Sequence, residues 1–218
     1  ADGLARVHAA LTFPPTHDLA VGVLVSDATL RGEAPTIARY PDRDTAYGLL
    51  RSLASWCVPV LHYNTRTPDG LEEQLTELFS RDAIHEVGIC RRVQLNVGHP
   101  DRAVLRRVKL AFPGLAIILQ VPLWLPGVTD ADGVARLLSD YEAEVDYFLL
   151  DPSGGRGTPL SEERLLLVGK ACSLLGDERR FVFAGGLEAS NVEETIRRVR
   201  EGTGLRRFSV DAENRLRG

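Results

Sequence analysis

Val145-Asp146-Tyr147-Phe148-Leu149-Leu150-Asp151-Pro152-Ser153-Gly154-Gly155-Arg156-Gly157 is a strand-length apolar run that ends on a carboxylate and a glycine turn. A helix-length segment, Ser161–Leu175, follows it. Pro159 ahead of that segment and the Glu162–Glu163 pair at its start suit the positive end of a helix dipole. This strand–turn–helix unit recurs in both directions. Downstream, Arg180–Ala184 leads through Gly185 and Gly186 into the helix Asn191–Glu201, and Arg207–Val210 is a last strand.

Upstream, Leu115–Leu123 precedes the helix Asp130–Glu142, and Arg92–Val97 precedes the helix Pro100–Phe112. Val58–Asn64 is broken by the turn Thr65–Gly70, after which Leu71, Leu75, Leu78 and Phe79 fall at helical spacing. Leu19–Ser26, rich in valine branched at Cβ, precedes a helix at Asp44–Ala54. Crossover helices cover both faces of a parallel sheet, so its strands read as near-continuous apolar runs. The reading is therefore α/β, of the (βα)8 TIM-barrel type, in a single domain over residues 1–218 with no linker or low-complexity tract.

Seven strand candidates are one short of the common eight. Leu4, Val7, His8 and Leu11 place a helix over residues 2–13, ahead of the first strand candidate. The expectation is a further strand ahead of residue 1. The chain contains no Met, an initiator included, which leaves the start of translation open.

Across 218 residues, 26 Lys and Arg face 30 Asp and Glu, a formal charge of -4 that argues against a general nucleic-acid surface. The longest apolar runs are far too short for a bilayer, and no leader pattern opens the chain. Cys57, Cys90 and Cys172 stand too far apart for a disulfide framework or a metal knuckle, which fits a reducing, cytoplasmic setting. Each thiol reads as a small packing group; Cys57, between Trp56 and Val58, is expected to be buried. His8, His17, His85 and His99 show no metal-ligand spacing, so no metal is expected.

The succession of motifs resembles the phosphoribosylanthranilate isomerase family. It runs from Ala20-Val21-Gly22 and Arg39-Tyr40 to Val93-Gln94-Leu95 with Gly98. It continues with Leu149-Leu150-Asp151 before Gly154-Gly155-Arg156-Gly157-Thr158, then Ala184-Gly185-Gly186-Leu187 with Asn191-Val192, and Val210-Asp211. The resemblance covers nearly the whole chain. It implies a barrel enzyme of tryptophan biosynthesis that carries out an Amadori rearrangement of N-(5-phosphoribosyl)anthranilate without a cofactor. The family's opening lysine-isoleucine-cysteine-glycine strand, which supplies the catalytic base, has no counterpart here, and the helix at 2–13 aligns with the helix that follows it. The histidine usual beyond the Val-Gln-Leu strand is Asn96.

The resemblance makes Asp151 the general acid that opens the sugar ring; the bland alternative is a carboxylate that caps its own turn. Gly154, Gly155 and Gly157, with Gly185 and Gly186, are phosphate candidates, because glycine lets successive backbone N–H groups turn toward an oxyanion. They could equally be tight turns. Arg39 falls where the family meets the substrate carboxylate, a task suited to a guanidinium, although a solvated arginine beside Asp42 and Asp44 fits as well. His62 is the candidate replacement base, although a hydrogen-bonded core histidine is the commoner role for such a residue, with Asn64 and Asn96 as further substrate contacts. The partner implied is a small phosphorylated sugar, with no nucleic acid and no membrane, in a monomer or homodimer. A competing reading is a non-catalytic barrel that binds a sugar phosphate or serves as a structural partner.

Overall fold

A computed structural model describes residues 18–33, 39–123, 130–151, 161–175 and 181–213. The helix expected over residues 2–13 and the turn at 154–157 lie outside the described residues. The chain forms two compact units, Ala1–Ile117 and Ile118–Gly218.

In the first unit, β1 (Ala20–Ser26), β2 (Val58–Asn64) and β3 (Arg92–Leu95) run parallel in chain order. Between and after them come α1 (Asp27–Leu30), α2 (Arg43–Leu53), α3 (Leu71–Ser80) and α4 (Arg102–Ala111). One face of the strands carries Val23, Val25, Leu61, Tyr63, Val93 and Leu95, none more than 4% exposed. These are buried along with the apolar stripes of the helices, Leu50 and Leu53 of α2, Leu71, Leu75, Leu78 and Phe79 of α3, and Leu105 and Val108 of α4. Each such side chain contributes about 1.5–3 kcal/mol on removal from water. The opposite face aligns Leu24, His62 and Gln94 in one row.

The helix starts follow from local chemistry. The Asp42 carboxylate accepts from Thr45 N–H at 2.9 Å and opens α2, and the Asp101 carboxylate accepts from Ala103 N–H at 2.8 Å and opens α4. Ser26 and Thr29 form a reciprocal capping box around α1. Sequence periodicity did not single out α1, because four residues are too few to show it.

In the second unit, β4 (Ala116–Pro122, from Ile118 onward), β5 (Tyr147–Asp151), β6 (Phe181–Ala184) and β7 (Ser209–Asp211) are again parallel and sequential. The helices are α5 (Ala131–Asp140), α6 (Glu162–Leu175) and α7 (Val192–Thr203). Leu119, Val121, Phe148, Leu150, Phe181 and Phe183 share one buried face, with Phe148 stacked on Phe181 at 6.4 Å. The other face is buried as well. Leu149, Val182 and Ala184 form a cluster there, with Ile118 and Tyr147 packed against it. Burial on both faces is the property of a parallel sheet with crossover helices, and the chain has a parallel α/β fold.

Most boundaries sit within two residues of the sequence reading. The last strand begins at Ser209 rather than Arg207, because Arg206 and Arg207 are exposed and the chain anchors only at Phe208, edge-on to Phe183 at 5.4 Å. β5 runs one residue further than expected and takes in Asp151 itself. No helix among the described residues is long and apolar enough to cross a membrane.

His85 gives the first unit an acid-sensitive spot. Its ring is 6% exposed and wedged edge-on between Phe79 at 6.2 Å and Phe112 at 5.3 Å, with Nε2 lacking any hydrogen-bond partner. Burial, followed by the Arg91 charge, holds its pKa below the usual 6.5. Above that pH the imidazole is neutral in both the folded and unfolded chain. Below it the unfolded chain takes up a proton that the folded one resists, so stability falls as pH falls toward the folded-state pKa. We expect the urea midpoint to drop between pH 7.5 and 5.5 by more in the wild type than in His85→Phe; equal pH dependence would contradict this.

Candidate functional site

The C-terminal ends of β5, β6 and β7 carry Asp151, the Gly185–Gly186 turn and Asp211. Asp151 ends β5 and is 4% exposed. Burying a carboxylate is costly unless a donor meets it, and Gln120 of β4 supplies one, its Nε2 donating to Asp151 Oδ2 at 2.9 Å. Gln120 is itself buried, on the face it shares with Ile118 and opposite to Leu119 and Val121.

Asp211 ends β7 in register with Ala184 of β6. Its carboxyl is pushed up to about 6, first by desolvation and then by the Glu213 and Asp151 charges. A carboxyl raised in this way holds its proton to higher pH than an exposed aspartate does, which suits acid–base work. The sequence reading took Asp211 only as part of a motif. Its signal was a carboxylate at the end of a strand, the same signal that pointed to Asp151.

Between these two strands, the turn after β6 places Gly185 at φ 123° and Gly186 at φ 63°, conformations that side chains with a Cβ rarely adopt. Asn191 holds this turn. Its Oδ1 accepts from Glu188 N–H at 2.9 Å and its Nδ2 donates to Gly186 O at 3.0 Å. Asn191 therefore serves the glycine loop and makes no side-chain cap on α7. The other phosphate candidates, Gly154, Gly155 and Gly157, lie outside the described residues.

In the first unit, half-buried His62 brings Nε2 to 3.5 Å from Gln94 Nε2 across the β2–β3 pair. Asn64, at the end of β2, donates through Nδ2 to Tyr40 Oη at 3.3 Å. The Arg39 guanidinium lies over the Tyr40 ring at 5.3 Å, so Tyr40 joins two residues that the sequence reading had treated separately. Asn96 is half-buried just beyond β3, where its backbone N–H donates to Tyr63 O at 3.0 Å. Gln94 and Gln120 were missed as partners. A buried glutamine that interrupts an apolar strand was the available signal, since such an amide must find a partner.

The thiols stay protonated at neutral pH. Burial pushes Cys57 up to about 11 and Cys172 up to about 12, and raises Cys90, whose Sγ contacts Arg92 O at 3.3 Å and Pro59 O at 3.5 Å. Cys57 is half-buried rather than buried, its thiol reaching Leu53 O at 3.4 Å just past the end of α2. Among the described residues no group of three or more His, Cys, Asp and Glu is placed to hold a metal.

Fold and strand-end chemistry define a parallel α/β protein with a buried carboxylate, Asp151, and a half-buried one, Asp211, at the C-terminal ends of its later strands. No protein-family model matches the chain, and no curated protein matches it. A solved structure that it resembles in part is an enolase from Gibberella zeae PH-1 complexed with magnesium, formate and sulfate. Sequence identity is 17% and the TM-score 0.37, and the match covers 60% of this chain and 27% of that one. The chain thus spans about a quarter of the enolase, a likeness too slight to bear on activity.

Proposed function

We propose that this chain is an isomerase of the phosphoribosylanthranilate isomerase type, built as an eight-stranded (βα) barrel and acting in cytoplasmic tryptophan biosynthesis. The observation that carries the reading is Asp151, a buried carboxyl at the end of β5 with one oxygen fixed by Gln120 and a second carboxyl, Asp211, two strands away on the same face. The substrate is N-(5-phosphoribosyl)anthranilate. Asp151 donates a proton to the furanose oxygen, the C1–O bond breaks toward that oxygen, and the nitrogen lone pair closes the iminium. A base removes the C2 proton, the electrons pass to the iminium nitrogen, and the enol amine tautomerises to the 1-amino-1-deoxy-ketose. The iminium is its own electron sink, so the scheme calls for no cofactor. The proposal assigns the base to His62, substrate contacts to Arg39, Asn64 and Asn96, and phosphate contacts to the Gly154–Gly157 and Gly185–Gly186 turns.

A second reading, a barrel that binds a sugar phosphate without turning it over, draws on one observation. All three thiols are held protonated, so no cysteine here replaces the family's base. Mixing the protein with N-(5-phosphoribosyl)anthranilate and following anthranilate fluorescence separates the two. Catalysed loss of fluorescence is the expected result. Tight binding with fluorescence unchanged from pH 6 to 9 would replace the isomerase with the binding protein.

A further inference from the structure

Gln120 and Asp151 stand on neighbouring strands of the second unit but not in the same row. Register pairs Gln120 with Leu149 and Pro122 with Asp151, so Gln120 starts two residues nearer the core, about 7 Å lower along the strand. Side chains alternate along each strand, which puts Gln120 and Asp151 on the same face, with Ile118 and Leu149 beneath them. The glutamine stem covers the step, and Nε2 meets Asp151 Oδ2 at 2.9 Å from the core side of the strand end. Both side chains are buried. Gln120 is the one polar residue of β4, and a buried amide costs free energy unless it is met. An N–H bond to a carboxyl is roughly twice as strong once the carboxyl is ionised, so Gln120 favours the carboxylate over the acid.

We propose that Gln120 is the positioning residue of the general acid: it holds the Asp151 carboxyl from the core side and stabilises the carboxylate that forms as the sugar ring opens. The contact stands on the strand register and the buried hydrogen bond; its catalytic use rests on the isomerase reading above. In the step, the O–H bond of Asp151 breaks as a new O–H bond forms to the furanose oxygen and the C1–O bond opens. The carboxylate left behind regains its proton from water. The bond from Gln120 tightens as that charge develops, so it is stronger in the transition state than before it, the condition for raising kcat. Water cannot readily supply the same donor to a buried carboxyl. Around the pair, Ala184 of β6 is uncharged, Asp211 of β7 and Asp151 feel each other's charge, and Glu213 beyond β7 acts on Asp211. A substitution at Gln120 leaves all three in place.

The test sets Gln120→Met, which keeps the bulk and removes the donor, beside the wild type, both as the full chain. In carbon-13 NMR the Asp151 carboxyl should take up its proton at higher pH in Gln120→Met, because the ionised form has lost its donor. In the wild type, the Gln120 side-chain amide resonances should shift with pH in step with that carboxyl, a readout that needs no variant. With N-(5-phosphoribosyl)anthranilate, kcat should fall about 10–100-fold at nearly unchanged KM, the usual worth of a hydrogen bond to a charged group. The alkaline limb of the rate profile should move to higher pH, which a loss of packing alone would not do. An Asp151 titration unmoved by the substitution, or amide resonances that ignore it, would overturn the contact. An unmoved limb, or a rise in KM alone, would overturn the positioning role. A wild type that turns over nothing while Asp151 responds to Gln120→Met would defeat the isomerase reading and the catalytic role together, and leave the hydrogen bond a structural one.

Discussion

Gly169→Ala should destabilise the protein by about 2 kcal/mol, while Gly48→Ala, the same change in another helix, should stabilise it by about 1 kcal/mol. Alanine is the better helix former by roughly that 1 kcal/mol at either site. The difference lies in what the new methyl group meets. At Gly48, in α2, nothing stands within 4 Å of the position a Cβ would take. At Gly169, in α6, the Cβ would fall 2.4 Å from Gly202 O and 2.7 Å from Thr203 Cα, both backbone atoms of α7. A backbone cannot rotate away as a side chain can, so the two helices must separate. That separation disturbs Leu165, packed at 3.4 Å from the equivalent position of Gly202. Overpacking of this kind costs about 1–3 kcal/mol and more where backbone must move, which outweighs the propensity gain. Thermal unfolding of the two variants beside the wild type should show opposite shifts, with the larger one downward; a rise in Tm for both would contradict the close helix approach.

The strands and helices were legible because burial on both faces of a parallel sheet writes itself as apolar runs. Val58–Asn64 came out with its observed ends, and β5 with an error at its end that mattered only because Asp151 sits there. The close contact of α6 with α7 was not legible, since Gly169 reads in the sequence as one more helical glycine. Half of the site shared that obscurity. Asp151 was visible as a charge after an apolar run. Gln94, Gln120 and Tyr40 act through partners on neighbouring strands or loops, and strand register is what brings such partners together. Asp211 lay beside Val210 in a recognised motif, yet its raised proton affinity comes first from lost water and then from the Glu213 and Asp151 charges, the last brought near only by folding.

Asp151→Asn should lower kcat by roughly 10²–10⁴, the usual worth of a positioned proton donor, or about 3–5 kcal/mol of transition-state free energy. The substitution keeps the side-chain volume, and the carboxamide oxygen can still accept from Gln120 Nε2, so the buried amide keeps a partner. The fold should therefore survive and the substrate should bind nearly as before. Under the proposed isomerase reading, what is lost is a proton delivered to the furanose oxygen only as the ring opens. An interaction made only in the transition state shows itself in kcat, whereas a uniform binding contact shows itself in KM. Solvent cannot take over the task easily at a residue that is 4% exposed.

The most direct measurement is the steady-state conversion of N-(5-phosphoribosyl)anthranilate, followed by the loss of anthranilate fluorescence, with wild type and Asp151→Asn run side by side at pH 7.5. The account predicts measurable turnover by the wild type and a kcat at least about a hundredfold lower in the variant, at nearly unchanged KM. Equal rates in the two proteins, or no turnover by the wild type, would contradict it.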